Sequence, residues 1–301
     1  MKKFIILAMT WFALVAQAQQ EPQYTQNQFN SNLEINPAYA GVNNNASLSL
    51  RYRKQWVGFN GAPSTLSFNG ESKVIKRYLG IGLTIIRDDI GITQSTSADL
   101  SLASHVKVSE NGTLSAGIKI GVNLLRSDYS KLINVDQTDP LYQTNENVTI
   151  PYMGFGLLFN TRKFYIGFAI PRVVSFENVS PQEKITKPHY YLYGGVRIKV
   201  NEDIELRPAL LGKYVKAAPF IADIAMDAWY RSVFGIGLAY RTSDAVNFMI
   251  KGRIGHFYIG YSNDMTVSGL RTFNSGSHEI YLGFEFGKKG NPDRDQNNRY
   301  F

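Results

Sequence analysis

Alternation with a period of two constrains this chain more than any other feature. In "AGIKIGVNLL" (116–125), Ile118, Ile120, Val122 and Leu124 share one face of an extended chain, opposite Lys119 and Asn123. "LSLASHVKV" (100–108) sets Leu100, Leu102, Val106 and Val108 against His105 and Lys107. "YLYGGVRIKV" (191–200) sets Leu192, Val196, Ile198 and Val200 against Tyr191, Tyr193, Arg197 and Lys199. "FIADIAMDAWY" (220–230) and "IYLGFEFG" (280–287) repeat the pattern, with Asp223, Asp227 and Glu285 opposite the apolar row. Successive side chains of a strand point to opposite faces, so these segments specify strands with one greasy and one polar side.

Such segments number about fourteen, near 46–56, 63–73, 78–88, 94–108, 112–126, 150–160, 163–170, 188–201, 203–216, 219–230, 233–242, 245–254, 256–263 and 277–287. Many are long for a soluble sandwich and match a tilted strand crossing a bilayer. Their connections segregate. The links "SENG" (109–112), "NTRK" (160–163), "NED" (201–203), "RSV" (231–233) and the turn at Gly255 are brief. The long links, 127–149, 171–187 and 264–276, all fall on the other side. Short periplasmic turns and long outer loops are the arrangement of an outer-membrane barrel. The fold expected is therefore all-β, a single antiparallel transmembrane β-barrel with an N-terminal segment packed at or in it. No blade repeat supports a propeller. A sandwich would carry more charge on its polar face than the Gly, Ser and Tyr found here. In hydrocarbon every backbone N–H and C=O must be paired, and closure pairs all of them. Pro208 sits inside the ninth segment, where a closed barrel has no free edge, and a bulge is expected there. Trp56, Tyr78, Tyr129, Tyr152 and Trp229 lie near strand ends and suit interfacial girdles.

The first residues carry Lys2 and Lys3, an apolar run from Phe4 to Val15 and Ala16-Gln17-Ala18, the three parts of a cleavable signal peptide. Residues 1–18 are read as that peptide, 19–45 as an N-terminal periplasmic or plug segment, 46–287 as the barrel and 288–301 as a polar tail. With no cysteine in the chain, disulfides, thiolate metal sites and a lipid anchor after the cleavage site are excluded. The formal charge of +8, about +6 without Lys2 and Lys3, is spread along the strands. A nucleic-acid binder would cluster it beside stacking aromatics, so no nucleic-acid partner is expected.

The chemistry-bearing residues form no catalytic or metal constellation. The four histidines, His105, His189, His256 and His278, are far apart, and no ligand spacing joins them. No nucleophile turn of the G-x-S-x-G kind occurs. Neither an enzyme, a metal site nor a cofactor is expected. "GIGL" (80–83), "GFGL" (154–157) and "GIGL" (235–238) lack the third glycine and helix of a dinucleotide fingerprint and are read as sheet curvature or beds for aromatics. The acidic stretch 134–147 is read as a solvated loop. Arg51, Arg53, Lys107, Lys119, Arg197, Lys199, Lys251 and Arg253, with Glu71, Asp223, Asp227 and Glu285, are assigned to the lumen. There they would serve either as a channel field or as internal salt bridges.

The ordered motifs near the N-terminus are more specific. Asn36, Pro37, Ala38, Tyr39, Ala40 and Gly41 are followed by "RKQW" with Gln55 and Trp56, by "GAPST" with Pro63, and by "DDIG" with Asp88, Asp89 and Gly91. This combination resembles the PorP/SprF family, outer-membrane proteins of the type IX secretion system in Bacteroidetes. The resemblance extends over the mature chain in length and strand pattern, and only 36–91 carries tight motifs. The polar tail after Phe286 is a departure from barrels that end on an aromatic. The resemblance implies a non-enzymatic role in secretion or surface attachment of a large substrate or adhesin bearing a C-terminal sorting domain, with gliding adhesins among the substrates. It implies periplasmic components of that machine as partners, with outer-membrane lipid around the barrel. A porin or FadL-like solute transporter is the alternative. Pro37 would fix the N-terminal segment, Ala38, Ala40 and Gly41 would allow its close packing, and Tyr39 would anchor it. Arg51, Arg53 and Gln55 share one strand face and would bind that segment or a partner's carboxylates.

Overall fold

The computed structural model describes residues 33–43, 45–75, 78–131, 145–175, 187–216 and 218–287. The proposed signal peptide, the tail 288–301 and most of the acidic stretch 134–147 lie outside the described residues. Among those described, the strands are β1 (Ser47–Lys54), β2 (Ser64–Ile75), β3 (Leu79–Ile90), β4 (Thr93–Lys107), β5 (Thr113–Ser127), β6 (Glu146–Asn160) and β7 (Phe164–Ser175). They continue as β8 (His189–Val196), β9 (Ile198–Lys199), β10 (Ile204–Val215), β11 (Ile221–Tyr230), β12 (Phe234–Arg241), β13 (Ala245–Ile254), β14 (Phe257–Thr266) and β15 (Ser277–Glu285). Each pairs antiparallel with its neighbour, β8 passes to β10, and β15 returns to β1 with Arg51 opposite Tyr281. The β10–β11 pairing completes a closed ring of 14 strands, with the short β9 outside it.

The turns after β2, β4, β6, β9, β11 and β13 gather at the rim where β1 begins and β15 ends. Their brevity marks this rim as periplasmic. Outward positions are apolar along whole strands: Ile81, Leu83 and Ile85 on β3, Ile118, Ile120, Val122 and Leu124 on β5, Ile236, Leu238 and Tyr240 on β12. The charged strand residues that face outward among those described, Lys54, Arg87, Asp89 and Arg126, sit toward the outer ends of their strands. Exposed aromatics mark both lipid boundaries: Tyr78, Phe164, Phe234 and Phe257 toward the periplasm, Tyr52, Tyr190, Tyr214 and Tyr240 toward the exterior.

Two expectations are corrected. Tyr152 and Trp229 are not girdle residues: both are buried inside the barrel, where the Tyr152 hydroxyl donates to Asp99 at 2.8 Å and Arg207 lies over the Trp229 ring. Nor does Pro208 sit at a bulge. Its strand keeps one register against β8 and β9, and the pairing simply lapses at Val196–Arg197 opposite it. Proline lacks the donor that this step of the ladder would use. The sheet bulges elsewhere, where β7 shifts register against Met153–Phe155 and the Pro171 carbonyl crowds Gly154.

Candidate functional site

The lumen is filled by the chain itself. Residues 33–42 are buried throughout and lie against the inner wall of β1–β8. Their shape follows from the motif. Asn36 caps a single 3-10 turn (Pro37–Tyr39), its side-chain oxygen accepting from Ala38 N at 2.8 Å. Pro37 stands at the start of that turn, where its fixed φ suits the helix and its missing N–H costs nothing. The Asn36 Nδ2 group then donates to the Leu157 carbonyl at 2.9 Å and the Tyr193 hydroxyl at 2.7 Å. The Tyr39 ring stacks on Tyr193 at 6.2 Å. Gly41 takes a left-handed φ of +68°, and its N–H donates to Glu71 Oε2 at 3.1 Å.

The wall is shaped to receive this segment. A Cβ at Gly80 would overlap the Ala40 carbonyl, one at Gly117 would overlap the backbone of Pro37 and Ala38, and one at Gly156 would overlap the Asn36 side chain. At Gly82 it would press on Leu33. The paired glycines of β3 and β6 thus make room for the plug, except Gly154, which faces the β7 bulge. On β12, Gly235 is a bed for an aromatic, lying under Trp229, whereas Gly237 adjoins Asp227 and Met249.

Charge fixes the other end of the segment. Glu34, fully buried, meets Arg51 Nη2 at 2.5 Å and accepts from Asn69 at 2.9 Å, while Lys119 donates to its backbone carbonyl at 2.7 Å. From there a chain of buried ions crosses the lumen. Arg51 and Arg53 share Glu279 at 3.4 Å each; Arg53 reaches Asp264 at 2.6 Å. Arg241 touches the same Asp264 at 3.4 Å, Asp223 at 3.0 Å and Asp244 at 2.8 Å. Of the pair of roles open to these charges, internal ion pairing is what the geometry supplies. Lys107 and Lys199 take no part in it, being exposed at the periplasmic rim.

The remaining motif residues meet at the outer rim. Gln55 is buried and its N–H donates to the Pro63 carbonyl at 2.9 Å; Gly91 N donates to Gly61 O at 2.9 Å. Asp88 accepts from Thr65 at 2.5 Å, and Asp89 from Gln94 at 2.7 Å. Trp56 is held at φ +42°, a conformation rare for a bulky residue, with its N–H on Ser277 Oγ at 3.2 Å. Val57 exchanges backbone bonds with Gly276 and Ser275 at 2.8 Å. Loops from three parts of the sequence are thereby knitted into a collar. Tyr129 lies half-buried beyond β5.

The sequence reading did not single out Glu34, Glu279, Asp264 or Arg241, nor His105 as a contact of the plug. His105 lies 2.7 Å from Ser115 Oγ and 2.9 Å from the Ala40 carbonyl, buried under the plug. Among the described residues, no group of three His, Cys, Asp or Glu side chains is placed to hold a metal ion.

A closed antiparallel ring with an apolar exterior, aromatic boundaries and an ionised interior defines an integral outer-membrane β-barrel. The family profile "Type IX secretion system membrane protein PorP/SprF" matches residues 16–284, and the chain belongs to that family and to the outer membrane. Among solved structures, the CymD monoaromatic hydrocarbon channel is similar over 90% of this chain and 97% of its own, with a TM-score of 0.53 and 11% identity. Omp33 of Acinetobacter baumannii is matched at a TM-score of 0.48 and 7% identity, over 82% of this chain and 100% of its own. The likeness to CymD is one of fold. No curated protein matches the chain.

Proposed function

We propose that this protein is a non-enzymatic component of type IX secretion that supports the secretion or surface anchoring of one large substrate, an adhesin of the gliding type or a similar protein with a C-terminal sorting domain. Family membership supports a place among the secretion-system partners in general. The observation that carries the finer reading is the filled lumen. A barrel whose interior holds its own residues 33–42 and a crossing chain of ion pairs suits presentation of surfaces at its two rims better than passage of solute through its centre. The bonded collar at the outer rim is a rigid platform on which an exported protein would be held. Periplasmic components of the machine would meet the opposite rim of short turns.

Affinity capture of the tagged protein from outer membranes, followed by mass spectrometry, tests this. Co-purification of a large surface protein with a C-terminal sorting domain is the expected result. Steady ion conductance by the intact barrel in planar bilayers, with no such protein captured, would favour solute transport instead.

A further inference from the structure

The plug is bound in a manner that filling a lumen does not require. Its backbone is gripped at three points: Lys119 on the Glu34 carbonyl, His105 at 2.9 Å from the Ala40 carbonyl, and Glu71 on the Gly41 N–H. Backbone contacts set the path and register of any chain laid along this wall. Two side chains are then read separately. Arg51 and Asn69 converge on the Glu34 carboxylate, and the Tyr193 hydroxyl with the Leu157 carbonyl takes the Asn36 carboxamide. The Glu34 contact is charge-assisted, and both side chains are fully buried, so a peptide that lacks either group leaves buried polar partners unmet and is discriminated against. The wall glycines leave a trough in which backbone approaches backbone.

We propose that the inner wall of β1–β8 is a peptide-binding site whose resident ligand is this chain's own segment 33–42. It would accept in trans a peptide of the same chemistry, an acidic residue followed two positions later by Asn-Pro and, after one small residue, an aromatic. The resident is tethered to β1 through residues 43–46, so its effective concentration is on the order of millimolar and a free peptide enters when the resident is weakened. This proposal stands whichever cargo the protein serves.

The test uses the full-length protein in detergent and a fluorescent peptide, LEINPAYAGV, read by polarisation. In an E34Q/N36A protein the resident is weakened and the wall is untouched. Saturable binding is expected there, about tenfold or more tighter than to the unaltered protein, and about tenfold or more weaker for a peptide carrying the same two changes. No saturable binding, or equal binding of the altered peptide, overturns the proposal. A second variant, A40C/G82C, keeps the resident's polar contacts but loosens its packing, because a Cβ at position 82 presses on Leu33. A Cβ at position 82 would lie 3.4 Å from that of Ala40, near the span of a disulfide, in a chain with no other cysteine. Oxidation should abolish peptide binding and reduction restore it. Binding that ignores the redox state overturns the proposal even if the first variant fails to fold.

Discussion

The two halves of the lumen are filled by different means. Along β1–β8 the wall is lined with glycine and polar side chains that meet a separate piece of chain, residues 33–42. Along β10–β15 the wall fills itself. Met249, Tyr281, Ala225 and Ala239 pack together there, flanked by Arg241 with its carboxylates toward the exterior and the Lys251–Asp227 pair, at 2.5 Å, toward the periplasm. Both arrangements bury side chains inside the ring, but they couple to the barrel differently. Self-filling ties strands directly to one another. The plug ties them through a segment that a substitution can remove without breaking any strand pairing.

The sharpest way to break this comparison is Arg241→Ala. It leaves Asp223 and Asp264 buried with a cation withdrawn, and loss of one partner from a buried ion group typically costs about 3–5 kcal/mol. Denaturant unfolding followed by the gel-mobility shift of folded barrels should show a large drop in midpoint. A barrel that unfolds at the unaltered midpoint would mean that this half is not held by its ion chain.

Gly80→Val addresses the other half. Its side chain would collide with the Ala40 carbonyl, a backbone group that cannot swing aside, and overpacking of this kind costs about 1–3 kcal/mol. If the halves differ as described, the cost falls on occupancy by the plug rather than on the ring. The expected outcome is faster proteolysis within residues 33–42, or faster labelling of a cysteine introduced there, with the barrel's unfolding midpoint close to that of the unaltered protein. Equal loss of midpoint in Gly80→Val and Arg241→Ala would erase the distinction.

Why one half was easier to read follows from the same difference. Strand faces are a local property, because lipid on one side and polar interior on the other sort residues two apart, as along 116–125. Even Tyr152 and Trp229 were legible by parity: Met153, Phe155 and Leu157 take the lipid face of β6, and Tyr230 takes that of β11, leaving Tyr152 and Trp229 on the inner face. Position near a strand end pointed the wrong way; parity decides. The ion partners were not legible. Arg51 and Glu279 are 228 positions apart, and only closure of the ring by β1 and β15 brings them together. Glu34 stands two residues before Asn36, yet nothing local says that its carboxylate will be buried. The paired glycines of β3 and β6 read as devices for bending a sheet or beds for aromatics, since the chain that occupies the space above them is remote in sequence.

The smallest effect, and the finest probe of the ring itself, concerns Pro208. It interrupts the β8–β10 ladder without altering its register, so the backbone on both sides is already placed to pair. Pro208→Ala restores one N–H where the partner segment at Val196–Arg197 has no ladder bond to it. A net gain of about 1 kcal/mol is expected, partly offset by the greater freedom of alanine in the unfolded chain. A small rise in the unfolding midpoint, with no change in plug accessibility, is the outcome that fits two separately held halves. A fall would mean that proline's fixed φ matters more at this step than the missing donor, and that the lapse in the ladder helps the sheet curve.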